Sequence, residues 1–182
     1  MKQKQAYIAG ASLIVIILFC AWEVSSALRG HDVFSYFKRT APAQQPAEEW
    51  VFVARVVDGD TIEIEGGEKV RYIGMNTPET VKPDWPVECF GKESSARNKE
   101  LVEGKRVRLV RDVSERDRYG RLLRFVHLAD GTLVNELLVR EGYARVSSFP
   151  PDVSKQDVFR AAERDARAAK RGLWADGACP NR

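Results

Sequence analysis

The stretch from Val53 to Glu79 constrains the fold more than any other part of this sequence. Two β-branched apolar runs flank an Asp-Gly-Asp-Thr corner, and a third run begins at Lys69, after a pair of glycines. Apolar runs separated by such turns are typical of antiparallel strands. The stretch therefore predicts three consecutive strands, with Pro78 stopping the ladder because proline has no N–H to donate.

Polar side chains collect where these predicted strands end. Asp60 leaves the first corner, and Arg71 points off the third strand. Asn76, Thr77 and Glu79 follow that strand directly. Carboxylate, amide and carbonyl oxygens suit a hard cation such as Ca²⁺, and a guanidinium suits a phosphate. The cluster predicts a site for a cation and a phosphate at the mouth of a small sheet.

Four motifs occur in a fixed order along the chain. They are Asp-Gly-Asp-Thr at 58–61, Arg-Tyr-Ile-Gly-Met-Asn-Thr-Pro-Glu at 71–79, Asp-Arg-Tyr-Gly-Arg at 117–121 and Asp-Gly-Thr-Leu-Val-Asn-Glu-Leu-Leu-Val-Arg-Glu-Gly at 130–142. In these motifs the chain resembles the staphylococcal nuclease (thermonuclease) family, from about Trp50 to Trp174. With the strand pattern and the size of the chain, the resemblance implies an α+β fold, a five-stranded OB-type Greek-key β-barrel with about three helices.

The resemblance also implies an activity. A family member cleaves DNA and RNA with the help of Ca²⁺ and leaves 3′-phosphates. Arg71 and Arg121 would hold the phosphate and oppose the charge that builds up in the transition state. Glu79 would be the general base for the attacking water. The rival interpretations are an OB-type module that binds nucleic acid without cutting it, and a membrane-tethered interaction domain, but neither explains why all three side chains are present at this spacing.

The resemblance assigns the calcium ligands as well. Asp60 would supply the carboxylate, Asn76 and the Thr77 carbonyl would supply neutral oxygens, and Asp58 would support the loop. The family pattern has an aspartate where this chain has Asn76. Because the charge of the ligands tunes calcium affinity, we expect weaker calcium binding than is usual in the family, or a different metal preference.

The expected substrate contacts are Arg118, Tyr119 and Phe149. The family places tyrosines in the loop where this chain has Ser-Ser-Phe-Pro-Pro at 147–151, so Tyr119 and Phe149 remain as partners on which a base could stack. Trp85 could also stack on a base, although an indole that covers the domain's own surface is at least as common. The net charge of +3 is too small to indicate nucleic-acid binding by itself.

The remaining elements follow from periodicity and turn residues. We predict helices at 91–103, 134–141 and 155–170, strands at 105–111 and 122–128, and a closing strand at 143–146. His127 is interpreted as a histidine on the surface of a strand, since no cysteine or histidine lies nearby at ligand spacing.

An apolar run from Ala6 to Trp22 follows two lysines near the amino terminus. Its length predicts a transmembrane helix, with a cleaved secretory signal as the alternative. The predicted organisation is a signal-anchor at 1–28, a linker at 29–49, the nuclease-like domain at 50–176 and a tail at 177–182. We expect a single-pass protein of the cell membrane with its domain on the extracytoplasmic side, or a secreted protein if the signal is cleaved. No obligate protein partner is inferred.

Export makes disulfides possible. Of the three cysteines, Cys89 and Cys179 both belong to the predicted domain and its tail. They could tie the tail to the loop at 80–89 through one disulfide.

Overall fold

The computed structural model describes residues 48–80 and 86–179. The predicted membrane segment at residues 6–22, most of the predicted linker and Trp85 lie outside these residues. No helix within the described residues is long and apolar enough to cross a bilayer. The elements, in chain order, are strand β1 Glu48–Asp58, β2 Thr61–Ile64, β3 Lys69–Tyr72, β4 Met75–Asn76, helix α1 Gly91–Val102, β5 Arg106–Val110, β6 Leu122–His127, α2 Val134–Arg140, β7 Arg145–Val146, α3 Gln156–Ala168 and a 3₁₀ turn Gly172–Trp174.

Five of the strands form a closed barrel in the order β1-β2-β3-β6-β5, which closes where β1 pairs with β5. The pairs β1–β2 and β2–β3 are antiparallel, as predicted for the first three strands. β6 pairs with β3 in parallel, with Leu122 opposite Val70. Arg121 directly precedes β6, so this parallel pairing brings it to the end of the barrel where β3 begins. The barrel and its three helices confirm the OB-type α+β fold.

The strand predicted to close the barrel does not do so. β7 covers only Arg145 and Val146, and it pairs with β4 in a separate two-stranded sheet. An alternating pattern of apolar and polar residues cannot be recognised over two residues, so the sequence contains no signal for β4. The β4–β7 pair fixes the backbone of Asn76 opposite Arg145, at the entrance to the barrel.

Two buried amides connect the helices to the barrel. Asn98 of α1 donates from Nδ2 to the carbonyl of Asp58 at 3.1 Å and accepts the hydroxyl of Tyr72 at 2.9 Å. Asn135 of α2 accepts the backbone N–H of Val126 and donates to the carbonyl of Ile73. A buried polar group without a partner is costly, so these contacts specify how each helix docks. Asn98 thereby fixes the end of β1, where the polar cluster begins.

The apolar core fills the barrel and the space under the helices. Val53, Ile62, Val70 and Val107 are fully buried in the strands, and Leu138 is fully buried on α2. Complete burial of such side chains stabilises the fold by about 1.5–3 kcal/mol each. The core leaves the polar cluster at one rim of the barrel.

Candidate active site

An open cleft of about 440 Å³ lies at this rim, and it holds all six residues that the sequence predicts as catalytic or metal-binding. The side chains that line it are Val57, Asp58, Asp60, Thr61, Lys69, Arg71, Asn76, Thr77, Glu79, Glu88 and Arg121. The fold brings these residues together from five separate segments of the chain. The predicted grouping in space is therefore present in the structure.

Asp60 is the most firmly anchored carboxylate of the cleft. Its Oδ2 accepts the backbone N–H of Thr77 at 2.9 Å and the Thr77 hydroxyl at 3.1 Å. Its Oδ1 accepts the hydroxyl of Thr61 at 3.0 Å. Asp60 is 94% buried by these neighbours, since its relative exposure is only 6%. The carboxylate thus joins the first corner to the segment that follows β4.

Arg71 forms an ion pair with Asp60 across this rim. Its Nη2 donates to the amide oxygen of Asn76 at 2.6 Å and to the carbonyl of Met75 at 3.3 Å. Asn76 in turn donates from Nδ2 to the Thr77 carbonyl at 3.1 Å. The oxygens predicted to bind calcium are therefore engaged by nitrogen donors, chiefly by the Arg71 guanidinium.

The chemistry of this donor set fits calcium weakly. Asp60, Asn76 and Thr77 offer only oxygens, which is the preference of a hard cation. Within residues 48–80 and 86–179, however, no three acidic, histidine or cysteine side chains are grouped in a way that could hold a metal. Asp60 is the single carboxylate among the three predicted ligands, and the weak calcium binding expected from Asn76 stays a prediction.

Arg121 is oriented by its own loop. Its Nε donates to Asp117 Oδ2 at 2.7 Å, and Asp117 Oδ1 accepts the backbone N–H groups of Tyr119 and Arg121. Partial burial acts to raise the pKa of Asp117, but these hydrogen bonds outweigh it and hold the pKa below its usual value. The Arg121 Nη1 also reaches the Thr61 hydroxyl at 3.5 Å. Asp117 was not among the site residues predicted from the sequence, although it lies four residues before Arg121 in the same motif.

Glu79 and Asp58 are neighbours in the cleft, and both contact Thr80. Glu79 Oε1 accepts the backbone N–H of Thr80 at 3.0 Å. Asp58 accepts the Thr80 hydroxyl at 2.6 Å and the N–H of Gly59 at 2.7 Å. Burial raises the pKa of Asp58 to about 6, with contributions in the same direction from a hydrogen bond to Glu79 and from the charge of Asp60. A protonated Asp58 can donate a hydrogen bond to the Glu79 carboxylate.

The predicted substrate contacts lie beside the arginines. Tyr119 is 68% exposed and lies 5.4 Å from the Arg121 guanidinium, while Arg118 stacks on the same ring at 4.8 Å. Phe149 is 73% exposed and lines a second cavity of about 230 Å³ together with Arg71 and Arg121. Tyr119 is thus accessible beside Arg121, and Phe149 is accessible at a cavity that both arginines line.

Cys89 and Cys179 are joined by a disulfide in the structure, with their Cα atoms 5.8 Å apart. The bridge connects the carboxyl-terminal tail to the segment just before α1. Glu88, next to Cys89, lines the cleft, and this residue was missed by our sequence analysis.

His127 is partly exposed on β6, and its Nδ1 lies 3.3 Å from the Gly131 carbonyl, as suits a histidine on the surface of a strand.

Comparison with known proteins agrees with the fold. Residues 69–176 match the family described as staphylococcal nuclease homologue. The chain is 38% identical over 141 residues to a thermonuclease of Staphylococcus hyicus, covering 76% of this chain and 83% of the relative. It is 37% identical over 149 residues to the thermonuclease of Staphylococcus intermedius, covering 78% and 88%. It is 43% identical over 129 residues to the endonuclease YncB of Bacillus subtilis, covering 68% and 61%. This chain belongs to the staphylococcal nuclease family.

Proposed function

We propose that this hydrolytic nuclease cleaves the phosphodiester bonds of DNA and RNA with Ca²⁺ as its cofactor and leaves 3′-phosphate products. The observation that carries the proposal is the convergence of two arginines, the partly exposed Glu79 carboxylate and a set of oxygen donors on a single open cleft. Hydrolysis of a phosphodiester needs charge neutralisation on the phosphoryl oxygens, a positioned water and an acceptor for its proton. The residues of the cleft can supply each of these.

Arg71 and Arg121 approach the cleft from β3 and from the start of β6, so that a phosphate between them could accept hydrogen bonds from both. A guanidinium can bind two phosphate oxygens at once and carries a permanent charge. Asp117 holds Arg121 through Nε and Nη2, and Nη1 is directed towards Thr61 at the cleft. We assign both arginines to the phosphate and to the charge that develops on it.

Glu79 is the proposed general base. It lines the same cleft as Arg71, Arg121 and Asp60, where it could take a proton from water attacking the phosphorus. The neighbouring Asp58 would donate a hydrogen bond to Glu79 while it is protonated.

Asp60, Asn76 and the Thr77 carbonyl are the proposed ligands of the cation. Neutralisation of a phosphoryl oxygen is what a bound calcium would supply here. Arg71 engages Asp60 and Asn76 in the structure, so it must release these oxygens before they can bind a cation. A phosphate in the cleft offers Arg71 a replacement partner. Calcium and substrate are therefore expected to bind cooperatively.

The test is a cleavage assay of the full-length protein on single-stranded DNA and RNA across a calcium titration. Glu79→Gln and Arg121→Ala should abolish calcium-dependent cleavage. Glu93→Gln on α1 and Arg164→Ala on α3 make the same chemical changes at exposed positions away from the cleft, and should cleave normally. Cleavage that survives both cleft substitutions would contradict the proposed roles.

A second candidate function is nucleic-acid binding without cleavage, which the exposure of Tyr119 and Phe149 favours. The same assay separates the two functions. A folded protein that binds single strands but leaves them intact at millimolar calcium would be a binding module.

We also propose that the domain is exported and tethered to the cell membrane. The apolar run at residues 6–22 and the disulfide between Cys89 and Cys179 support this location, because disulfides persist in oxidising compartments. Cell fractionation provides the test. Recovery of the intact chain with the cytosol would contradict it, and recovery of a shortened chain from the medium would indicate a cleaved signal.

A further inference from the structure

We define the strap as residues 88–91. It contacts both the N–H and the carbonyl of Glu79, the proposed general base. The N–H of Glu88 donates to the carbonyl of Glu79 at 2.9 Å. The N–H of Glu79 donates to the Glu88 carboxylate, at Oε2, at 3.2 Å. The single residue Glu88 thus binds both backbone polar groups of Glu79.

The strap also packs tightly against the same stretch of backbone. A Cβ at Gly91 would lie 3.0 Å from the Glu79 carbonyl oxygen and 3.2 Å from that of Pro78. Any larger residue at this position would push the two segments apart. The first residue of α1 is therefore fitted to the backbone that carries Glu79.

The strap is fixed to the rest of the domain at two further points. The disulfide joins Cys89 to Cys179, 90 residues later in the chain. The ring of Phe90 packs on Tyr143 with centroids 5.5 Å apart. Phe90 has φ of 71°, a left-handed conformation that a residue with a side chain adopts only when its surroundings hold it there. The tail and the α2–β7 connection thus hold the strap against Glu79.

We propose that Glu88 is a positioning residue for the general base Glu79, and that the Cys89–Cys179 disulfide keeps Glu88 in place, so that reduction of the disulfide slows catalysis. The proposal rests on the catalytic role proposed for Glu79. Reduction by dithiothreitol would break the bond between the two sulfurs and leave two thiols, while the reagent is oxidised to its cyclic disulfide. The effect is expected on kcat, because the strap touches the base and not the arginines that hold the substrate.

The first arm of the test compares Glu88→Ala with Glu88→Gln in the full-length protein. Alanine removes the acceptor for the Glu79 N–H, whereas the amide oxygen of glutamine can still accept it. A displacement of a catalytic group by about 1 Å can cost on the order of a hundredfold in rate, so we expect Glu88→Ala to lower kcat at least about tenfold with KM nearly unchanged. Glu88→Gln should restore most of kcat. Wild-type kcat in Glu88→Ala, or an equal loss in both variants, would overturn the proposal.

The second arm removes the disulfide. Cys89→Ser combined with Cys179→Ser should lower kcat to the value of the reduced wild type, and should make the enzyme insensitive to dithiothreitol. Cys20→Ser is the matched control, since Cys20 is the third cysteine of the chain and takes no part in the Cys89–Cys179 disulfide, and it should keep both the wild-type rate and the sensitivity to reductant. A disulfide-free variant that remains folded and keeps the wild-type kcat would overturn the proposal.

Hydrogen exchange separates this inference from the assignment of function. The Glu79 amide should exchange faster in Glu88→Ala and in the disulfide-free variant than in the wild type, whether or not the protein cleaves nucleic acid. Unchanged exchange at Glu79 would overturn the coupling even in an active enzyme. Faster exchange in a wild type that does not cleave would support the coupling and contradict only the nuclease mechanism.

Discussion

The two sides of the cleft are built by different means. The barrel side carries Asp60, Arg71 and Asn76, which are held by strand pairing and by one another within a stretch of 17 residues. The strap side carries Glu79 and Glu88, which are held by a loop closure and by a disulfide to the tail. The proposed cation and phosphate contacts thus depend on local register, and the proposed base depends on contacts that are distant in sequence. Substitutions on the barrel side should therefore impair binding of the cation and the phosphate, and substitutions on the strap side should impair the positioning of the base.

The largest effect should come from the barrel side. Arg71→Ala removes a proposed phosphate clamp together with the charge that faces Asp60. Loss of an arginine that stabilises a phosphoryl transition state costs on the order of a thousandfold or more, so we expect kcat/KM to fall by at least about that factor. Steady-state kinetics on single-stranded DNA provide the measurement. Arg71→Lys should recover only part of the rate, since an ammonium cannot bind two phosphate oxygens in the same geometry.

Removal of the disulfide tests the strap side through stability. A bridge that closes a ring of this size contributes on the order of 4 kcal/mol through the entropy of the unfolded chain. We expect Cys89→Ser with Cys179→Ser to lower the free energy of unfolding by about that amount in urea titrations. The reduced wild type should unfold at the same urea concentration as this double variant. An unchanged midpoint would mean that the tail does not stabilise the domain.

The difference between the two sides also explains what the sequence could predict. Asp60 and Arg71 lie on β2 and β3 or at their ends, where alternating apolar residues and a tight corner fix the register, and the predicted strands are confirmed there. Glu88 follows a loop that has no periodicity. Its contact with Glu79 depends on chain closure, which no local pattern encodes, so the sequence offered no signal for it.

The same reasoning accounts for the closing strand that was predicted wrongly. The sequence pattern predicts a strand from Tyr143 to Val146. In the structure only Arg145 and Val146 are paired, and their partner is β4. The barrel closes instead through β1 and β5, whose pairing covers five residues from Glu48 to Phe52. Which strands meet is set by the whole barrel, whereas the existence of a strand is set locally.

The third prediction concerns Asp58, which lies between the two sides. Its pKa in the folded protein is about 6, and that of an unfolded aspartate is about 3.9. Between these values the unfolded state releases its proton first, so this group lowers stability as pH rises from about 4 to 6, and the cost persists above that range. In metal-free buffer, Asp58→Asn should therefore raise the free energy of unfolding at pH 7 by about 2–3 kcal/mol and leave it nearly unchanged at pH 4. Equal changes at both pH values would contradict a raised pKa.

The fourth prediction returns to the barrel side. Asn76→Asp adds a second carboxylate to the proposed calcium ligands. The calcium concentration that gives half-maximal cleavage should fall about tenfold, which corresponds to about 1.4 kcal/mol of binding free energy. Asp157→Asn on α3 is a control that changes charge by one unit away from the cleft. A midpoint that does not move in Asn76→Asp would mean that residue 76 is not a calcium ligand.

The smallest effect is expected at Lys69, which extends the barrel side along β3. Lys69 is exposed, lines the cleft and lies two residues before Arg71, so both side chains point to the same face of the strand. A polynucleotide held at Arg71 could place its next phosphate near Lys69. Each phosphate contact on a single strand contributes about 0.7 to the slope of log K against log salt, so Lys69→Gln should reduce that slope by about 0.7. Lys92→Gln on the exposed face of α1 should leave it unchanged. An unaltered slope in Lys69→Gln would confine phosphate recognition to the two arginines, whereas a reduced slope would extend the substrate path along β3.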